Sequence, residues 1–452
     1  FCIMFHLLAR FTSWLSSKPG YGAFATAKVG TDSTQLPLRS STRVYYIDNC
    51  RFWLEFLVIF KHVIPRTPYG KETWWMQGLE RWIEDFHMHM FCLISGHLSR
   101  GPLTPERATS AFVRVGLPLI LLNVLGRCSI LWPHWTIQHF FDHPIHPWFL
   151  VVWMFWRLTN PLLVWMKPHI MMVATILITL IGGYWVTYQG HGFLYVDNFI
   201  AYMPFFALGY LLPRERIAIA NTAKARTIGA GVVVATLGCG LSFAYSGSMG
   251  LRLKCLGSTG DMHDTPVEFW MTWQQYGRKG YENSLVENCF VFQMPWAWLM
   301  RLTMHAKSLL IGTSVLMLVP HEQQMYSEWG NNTLYAYILQ FWAFHQFHKI
   351  WSHYFTSVQL PSPLLGGLEG MVGSIAWVLF ITVASLCINA GLCSAPSREF
   401  FKPLIEPSWI LALKADDSTS SQAQEAMKTR EPNEGKSRGS ASSSSSASSS
   451  EL

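Results

Sequence analysis

One apolar stretch carries Asp48, Arg51, Glu55 and His62 among Phe, Trp, Leu, Val and Ile. An α-helix turns about 100° and rises about 1.5 Å per residue, so Arg51 and His62 differ by about 20° in direction and about 16 Å along the axis. Glu55 falls about 40° from Arg51, and Asp48 about 60°. Each type brings its own chemistry. An imidazole titrates near pH 6.5, so His62 can take and return a proton near neutrality as a general base. A guanidinium is a permanently charged fork that binds phosphate or carboxylate, the role open to Arg51. Glu55 can steer His62 or neutralise Arg51; the spacing permits both. A charged stripe is costly in hydrocarbon and, where it occurs, faces a bundle interior or a water-filled path. The plainer readings are a soluble amphipathic helix, or an ion pair that only fixes helix packing.

Other groups compete for attention. His87 and His89 are two residues apart, on nearly opposite faces of a helix, so they do not both line one helical site. His134, His139, Asp142, His143 and His146 invite a metal reading, with 139 and 143 at i,i+4 spacing. They do not form His-Glu-x-x-His, and no metal is expected. No Gly-x-Ser-x-Gly, phosphate-binding loop or dinucleotide fingerprint is present. The nine cysteines include no Cys-x-x-Cys pair. Cys50, Cys92, Cys128, Cys239 and Cys387 lie in or beside apolar segments as small packing residues. Cys255 and Cys289 flank a polar loop and can pair if it faces an oxidising compartment.

The elements that must position these groups belong in a membrane. Half of the 452 residues are hydrophobic and only 13% are charged, with 21 Trp and 29 Phe. Apolar segments recur at about 52–66, 86–99, 112–132, 148–166, 169–188, 197–213, 227–246, 303–320, 333–352 and 370–392. The expected fold is all-α, a polytopic helix bundle with about ten transmembrane helices. Basic residues before the first segment (Arg39, Arg43, Arg51), after the second (Arg100, Arg107, Arg114) and between the sixth and seventh (Arg214, Arg216, Lys224, Arg226) fall on one side. Both termini are therefore expected in the cytoplasm. Lys71 and Arg81 oppose this mildly. The net charge of +7 is spread along the chain and fits basic cytoplasmic loops rather than nucleic-acid binding. Residues 1–42 read as a loosely ordered lead-in, 43–405 as the membrane domain with an outer loop at about 247–290, and 406–452 as a disordered Ser-rich cytoplasmic tail. The chain starts at Phe1, not Met, and is read as part of a longer or processed chain.

Several blocks carry a resemblance. Tyr45-x-x-Asp48-Asn49-x-Arg51 followed by Arg51-x10-His62 is similar to the first membrane helix of the membrane-bound acyltransferase-3 family. Phe86-His87-Met88-His89-Met90-Phe91, with Ser95-Gly96, resembles a second block of that family. Arg114-Val115-Gly116-Leu117-Pro118 resembles the Arg-rich start of its third helix. His146-Pro147-Trp148-Phe149-Leu150, Tyr202-Met203-Pro204-Phe205-Phe206-Ala207-Leu208-Gly209 and Thr333-Leu334-Tyr335-Ala336-Tyr337-Ile338-Leu339-Gln340 resemble later blocks. The likeness covers about 43–405. The chain departs from the pattern at His89 (where Pro is usual), Ala111 (Arg) and Gln340 (His).

The resemblance implies an O-acyltransferase that moves an acyl group, chiefly acetyl, from cytoplasmic acyl-CoA to a hydroxyl of a carbohydrate or lipid-linked glycan. It implies His62 as the base. Arg51, Arg107 and Arg114 are then candidates for the phosphates of acetyl-CoA, and Asp48, His87 and Trp148 for substrate contacts. The length from Arg51 to His62 suits an extended pantetheine arm. Two rivals stand beside this: a proton-coupled transporter using Arg51, Glu55 and His62 as a relay, and a catalytically silent membrane scaffold.

Overall fold

A computed structural model describes residues 45–67, 73–100, 103–120, 148–182, 195–213, 222–248, 297–350 and 367–407. Every regular element among them is helical, with no strand. The chain divides into two units, Phe1–Pro407 and Ser408–Leu452, and the described residues all belong to the first. The lead-in, the His134–His146 cluster, Cys255, Cys289, the outer loop beyond 248 and the tail beyond 407 lie outside the described residues.

The stretch bearing the charged stripe is helix α1, Tyr45–Val63. No Gly or Pro interrupts it until Pro65, where a short 3-10 turn, Ile64–Arg66, ends it. It is the central helix: Ile59, Val63, Leu54 and Cys50 are all buried, as are Asn49 and Glu55. Around it lie α3 (His87–Leu98), α10 (Ser327–Asn331), α11 (Thr333–Ile350) and α12 (Gly367–Cys393). Asn49 fixes the segment before α10, donating from Nδ2 to the carbonyls of Pro320 at 2.8 Å and Glu322 at 2.9 Å. Asn389 of α12 donates to the Phe52 carbonyl at 3.3 Å.

Glycine allows the closest crossing, between α3 and α7 (Val196–Leu211). A Cβ on Gly96 would stand 2.0 Å from the Phe206 carbonyl oxygen, and one on Gly209 1.8 Å from that of Leu93. Backbone therefore meets backbone, as small residues permit in apolar helix interfaces. Pro204 lies inside α7 and cannot bond the carbonyl four residues back, at Ile200. Thr179 of α6 (Pro168–Gly182) donates to that carbonyl at 2.7 Å. The freed group is satisfied by a neighbouring helix, which is how membrane helices tolerate proline.

Three helices fall where the sequence reading placed loops or ends. Helix α2, Trp74–Glu84, lies in the expected first outer loop; α10 and α13 (Ala395–Ile405) are the others. They are 5–11 residues long, too short for a search for spanning stretches to register. Helix α2 buries Met76, Trp82 and Ile83, and the Trp82 indole donates to Thr236 of α8 (Ala223–Ser248) at 3.2 Å. Helix α4 (Pro105–Ala111) precedes the expected third segment and passes into a π-helical turn at Phe112–Gly116; positions 121–132 of that segment lie outside the described residues. The remaining helices are α5 (Trp148–Trp165) and α9 (Ala297–Leu318).

Among the described residues, two helices are long and apolar enough to cross a bilayer, at Ala223–Ser242 and Val372–Cys393. Shorter apolar helices occur at Trp148–Thr159, Pro168–Gly182 and Asn198–Leu211.

Candidate functional site

Asp48, Asn49, Arg51 and Glu55 form a polar centre on α1, walled by α10, α11 and the end of α12. Arg51 Nη1 stands 3.9 Å from Asp48 Oδ1, a loose pairing one turn apart. Glu55 has no exposed surface, and neither carboxylate oxygen takes a hydrogen bond. It lies within electrostatic reach of Arg51, of Tyr337 on α11 and of Cys393. The Tyr337 hydroxyl accepts from the Phe149 amide at 3.4 Å, which ties α5 to this centre. Trp148, next in the chain, stacks on Tyr202 with ring centres 5.3 Å apart. The structure thus gathers Asp48, Arg51 and Glu55, and brings the start of α5 alongside through Tyr337. Of the two roles open to Glu55, proximity supports an electrostatic partnership with Arg51.

His62 is near the far end of α1, half-buried, with its ring 5.2 Å from that of Phe344. Arg66 donates to the His62 backbone carbonyl and lays its guanidinium over the Phe344 ring at 4.9 Å. A cation therefore sits one turn from the candidate base. Sequence reasoning missed Arg66, although its i,i+4 spacing from His62 was the available signal.

His87 stands apart from Arg51. Its Nδ1 is 2.8 Å from the Ile83 carbonyl, at the end of the bundle where Lys61 pairs with Glu84 at 2.5 Å and Arg81 with Glu84 at 3.1 Å. Burial alone would raise the Glu84 carboxyl, but Lys61 and Arg81 outweigh it and hold Glu84 below the usual carboxylate range. At Asp85 burial wins, and the carboxyl is raised despite Lys307 at 2.8 Å. Lys307 is thus half of an ion pair joining α9 (Ala297–Leu318) to the residues just before α3.

Arg107 and Arg114 are exposed, on α4 and its π-turn. Arg107 lies within electrostatic reach of Arg157 on α5. Arg157 is tied to the C-terminal end of α3 by donating to the Ser99 carbonyl at 2.7 Å. Arg100 donates to the Tyr210 carbonyl at 2.8 Å. Basic side chains therefore collect at this end of α3.

A second buried polar cluster was not anticipated. His89, with no exposed surface, sits against Tyr202 and Phe205 (ring centres 4.8 and 4.6 Å) and 6.2 Å from His305. Arg301, one turn before His305 on α9, is also buried. The i, i+4 and i+7 spacing of Arg301, His305 and Ser308 was the readable signal. With His in place of Pro, α3 runs unbroken through position 89. Among the described residues no His, Cys, Asp or Glu group could hold a metal ion.

No family model, curated protein or solved structure matches this chain.

Proposed function

We propose that this chain is a multi-pass membrane protein of about ten spans. In this reading it transfers an acyl group, most simply acetyl, from cytoplasmic acyl-CoA to a hydroxyl of a carbohydrate or lipid-linked glycan. One observation carries the membrane part: polarity is distributed inside out. Asp48, Asn49, Glu55, His89, Arg301 and Asn389 are buried, while Leu158, Leu162, Trp165, Ile181, Val234, Leu379 and Val383 are exposed on helix surfaces. Water disfavours that arrangement, and hydrocarbon favours it.

The chemistry rests on α1. His62 removes the acceptor hydroxyl's proton, a task worth roughly 10²–10⁴ in rate. Arg51, with Arg107 and Arg114 at the basic end of α3, binds the donor's phosphates. The about 16 Å between Arg51 and His62 spans the pantetheine arm and places the thioester at the imidazole. The resemblance of the Arg51-x10-His62 block to acyltransferase-3 proteins supplies the donor and acceptor classes.

The deciding experiment incubates the purified chain in lipid with radiolabelled acetyl-CoA and a glycan panel, following CoA release and label transfer. Turnover lost in His62→Ala supports the reading; turnover unchanged by it removes His62 as the base. The enclosed Glu55 beside Arg51 also suits a proton relay, and solute flux that needs no acetyl-CoA would favour that transporter reading.

A further inference from the structure

Helix α13, Ala395–Ile405, begins just beyond the spanning stretch Val372–Cys393, yet it does not continue that helix. Ser394 breaks the path. Its backbone is extended (φ −68°, ψ 156°), and its hydroxyl accepts from the Ser397 amide at 3.4 Å to cap the new helix. Pro396, in the first turn, has no N–H to carry the α12 ladder onward.

Contacts at both ends fix its direction. Asn332 Nδ2 donates to the Cys393 carbonyl at 3.0 Å, where the chain enters. The hydroxyl of the buried Tyr335 on α11 donates to Glu406 Oε1 at 2.9 Å and takes a hydrogen bond from Arg398. Arg398 and Glu406 stand about 12 Å apart along the axis. Because both reach one hydroxyl, α13 lies across the start of α11 rather than leading away from it.

Its circumference divides into three arcs about 120° apart. Phe401 and Ile405 pack on the cluster of Tyr335 and Leu339. Glu399 and Lys402 make a charged flank. Pro396, Phe400 and Leu404 make an apolar flank, within about 40° of Phe400. Phe400 is 78% exposed, and Pro396 is exposed beside it.

A lone exposed Phe means little, but the setting of this one names its neighbour. Helix α12 leaves Ile375, Leu379 and Val383 exposed along one row. On the membrane reading, on which this inference rests, that row faces hydrocarbon. The spanning stretch ends where α13 begins, and 11 residues reach about 16 Å, too short to cross. We infer that α13 is an in-plane interfacial helix whose partner is the phospholipid of the leaflet at which α12 ends. Phe400, with Pro396 and Leu404, enters the headgroup–acyl boundary to about 5–10 Å, while Glu399 and Lys402 stay among headgroups and water.

The test places a photoreactive benzophenone amino acid in turn at Leu379, Glu399 and Phe400 of the full chain, reconstituted with radiolabelled phosphatidylcholine. After irradiation, positions 379 and 400 should carry at least about fivefold more lipid label than 399. Label at 379, with 400 no higher than 399, overturns the inference alone. Equal strong labelling at 399 and 400 also overturns it, because the flanks would then not be distinct. Chain-to-chain cross-links at 400 in place of lipid would assign the face to a second copy and overturn it too. Label at none of the three positions overturns the membrane reading and this inference together. Should the variant at 400 not fold, Leu404 on the same flank takes its place, with the same outcomes.

Discussion

The Ser327 hydroxyl donates to Asn49 Oδ1 at 2.6 Å, joining positions 278 residues apart, and both residues are fully buried. With its two donated bonds, Asn49 makes three hydrogen bonds and links α1 to the Pro320–Ser327 segment. Asn49→Ala strands the Pro320 and Glu322 carbonyls and should cost about 2–4 kcal/mol. Asn49→Asp should do no better, since a carboxylate has no N–H to offer. Thermal unfolding in detergent, compared with an exposed-site control such as Ser242→Ala, checks both.

The α3–α7 crossing predicts a sharp contrast between glycines. Gly209→Ala puts a methyl 1.8 Å from the Leu93 carbonyl, so the helices must separate, at a cost of about 1–3 kcal/mol or more. Gly231→Ala on α8 meets nothing within 4 Å. It should be neutral or stabilising by up to about 1 kcal/mol through helix propensity. Equal melting temperatures for the two variants would refute the close crossing.

Acid should release the Lys61–Glu84–Arg81 cluster. The folded Glu84 carboxyl lies below its unfolded value near 4.5. Its contribution is therefore complete above about pH 4.5 and lost as pH falls through the lower folded value. Glu84→Gln should melt lower than the parent at pH 7, and the gap should close in strong acid. A gap that stays constant with pH would show that the charge on Glu84 does not matter.

Arg51 should not be replaceable by lysine. A phosphate-binding fork loses its paired donors in Arg51→Lys, so the acetyl-CoA KM should rise about tenfold or more, with Arg51→Ala at least as poor. Isothermal titration with acetyl-CoA separates this from a change in kcat.

Long apolar stretches were legible in the sequence because their length and composition are local properties: α5, α7 and α12 begin and end within a few residues of the expected segments. The stripe on α1 was legible through helical spacing, which also put Glu55 near Arg51. Spacing on one helix says nothing of what other helices bring. Tyr337 and the Phe149 amide join the site only through tertiary contact. Arg66 and the Arg301–His305 pair had a usable signal in their i,i+4 spacing. Helix α2 was hidden because an amphipathic helix of 11 residues lies below the length that marks a span.

The clamp on α1 also sets an order of events in synthesis. The helix bearing the charged stripe leaves the ribosome long before its partners: Ser327 and Asn389, which engage Asn49 and the Phe52 carbonyl, come 278 and 337 residues later. At roughly 5–20 residues per second, α1 waits on the order of 20–70 s for its last partner. Throughout that interval a nascent helix with Asp48, Arg51 and Glu55 exposed is a target for chaperones and quality-control proteases. Chains truncated before α12 should be degraded rather than accumulate.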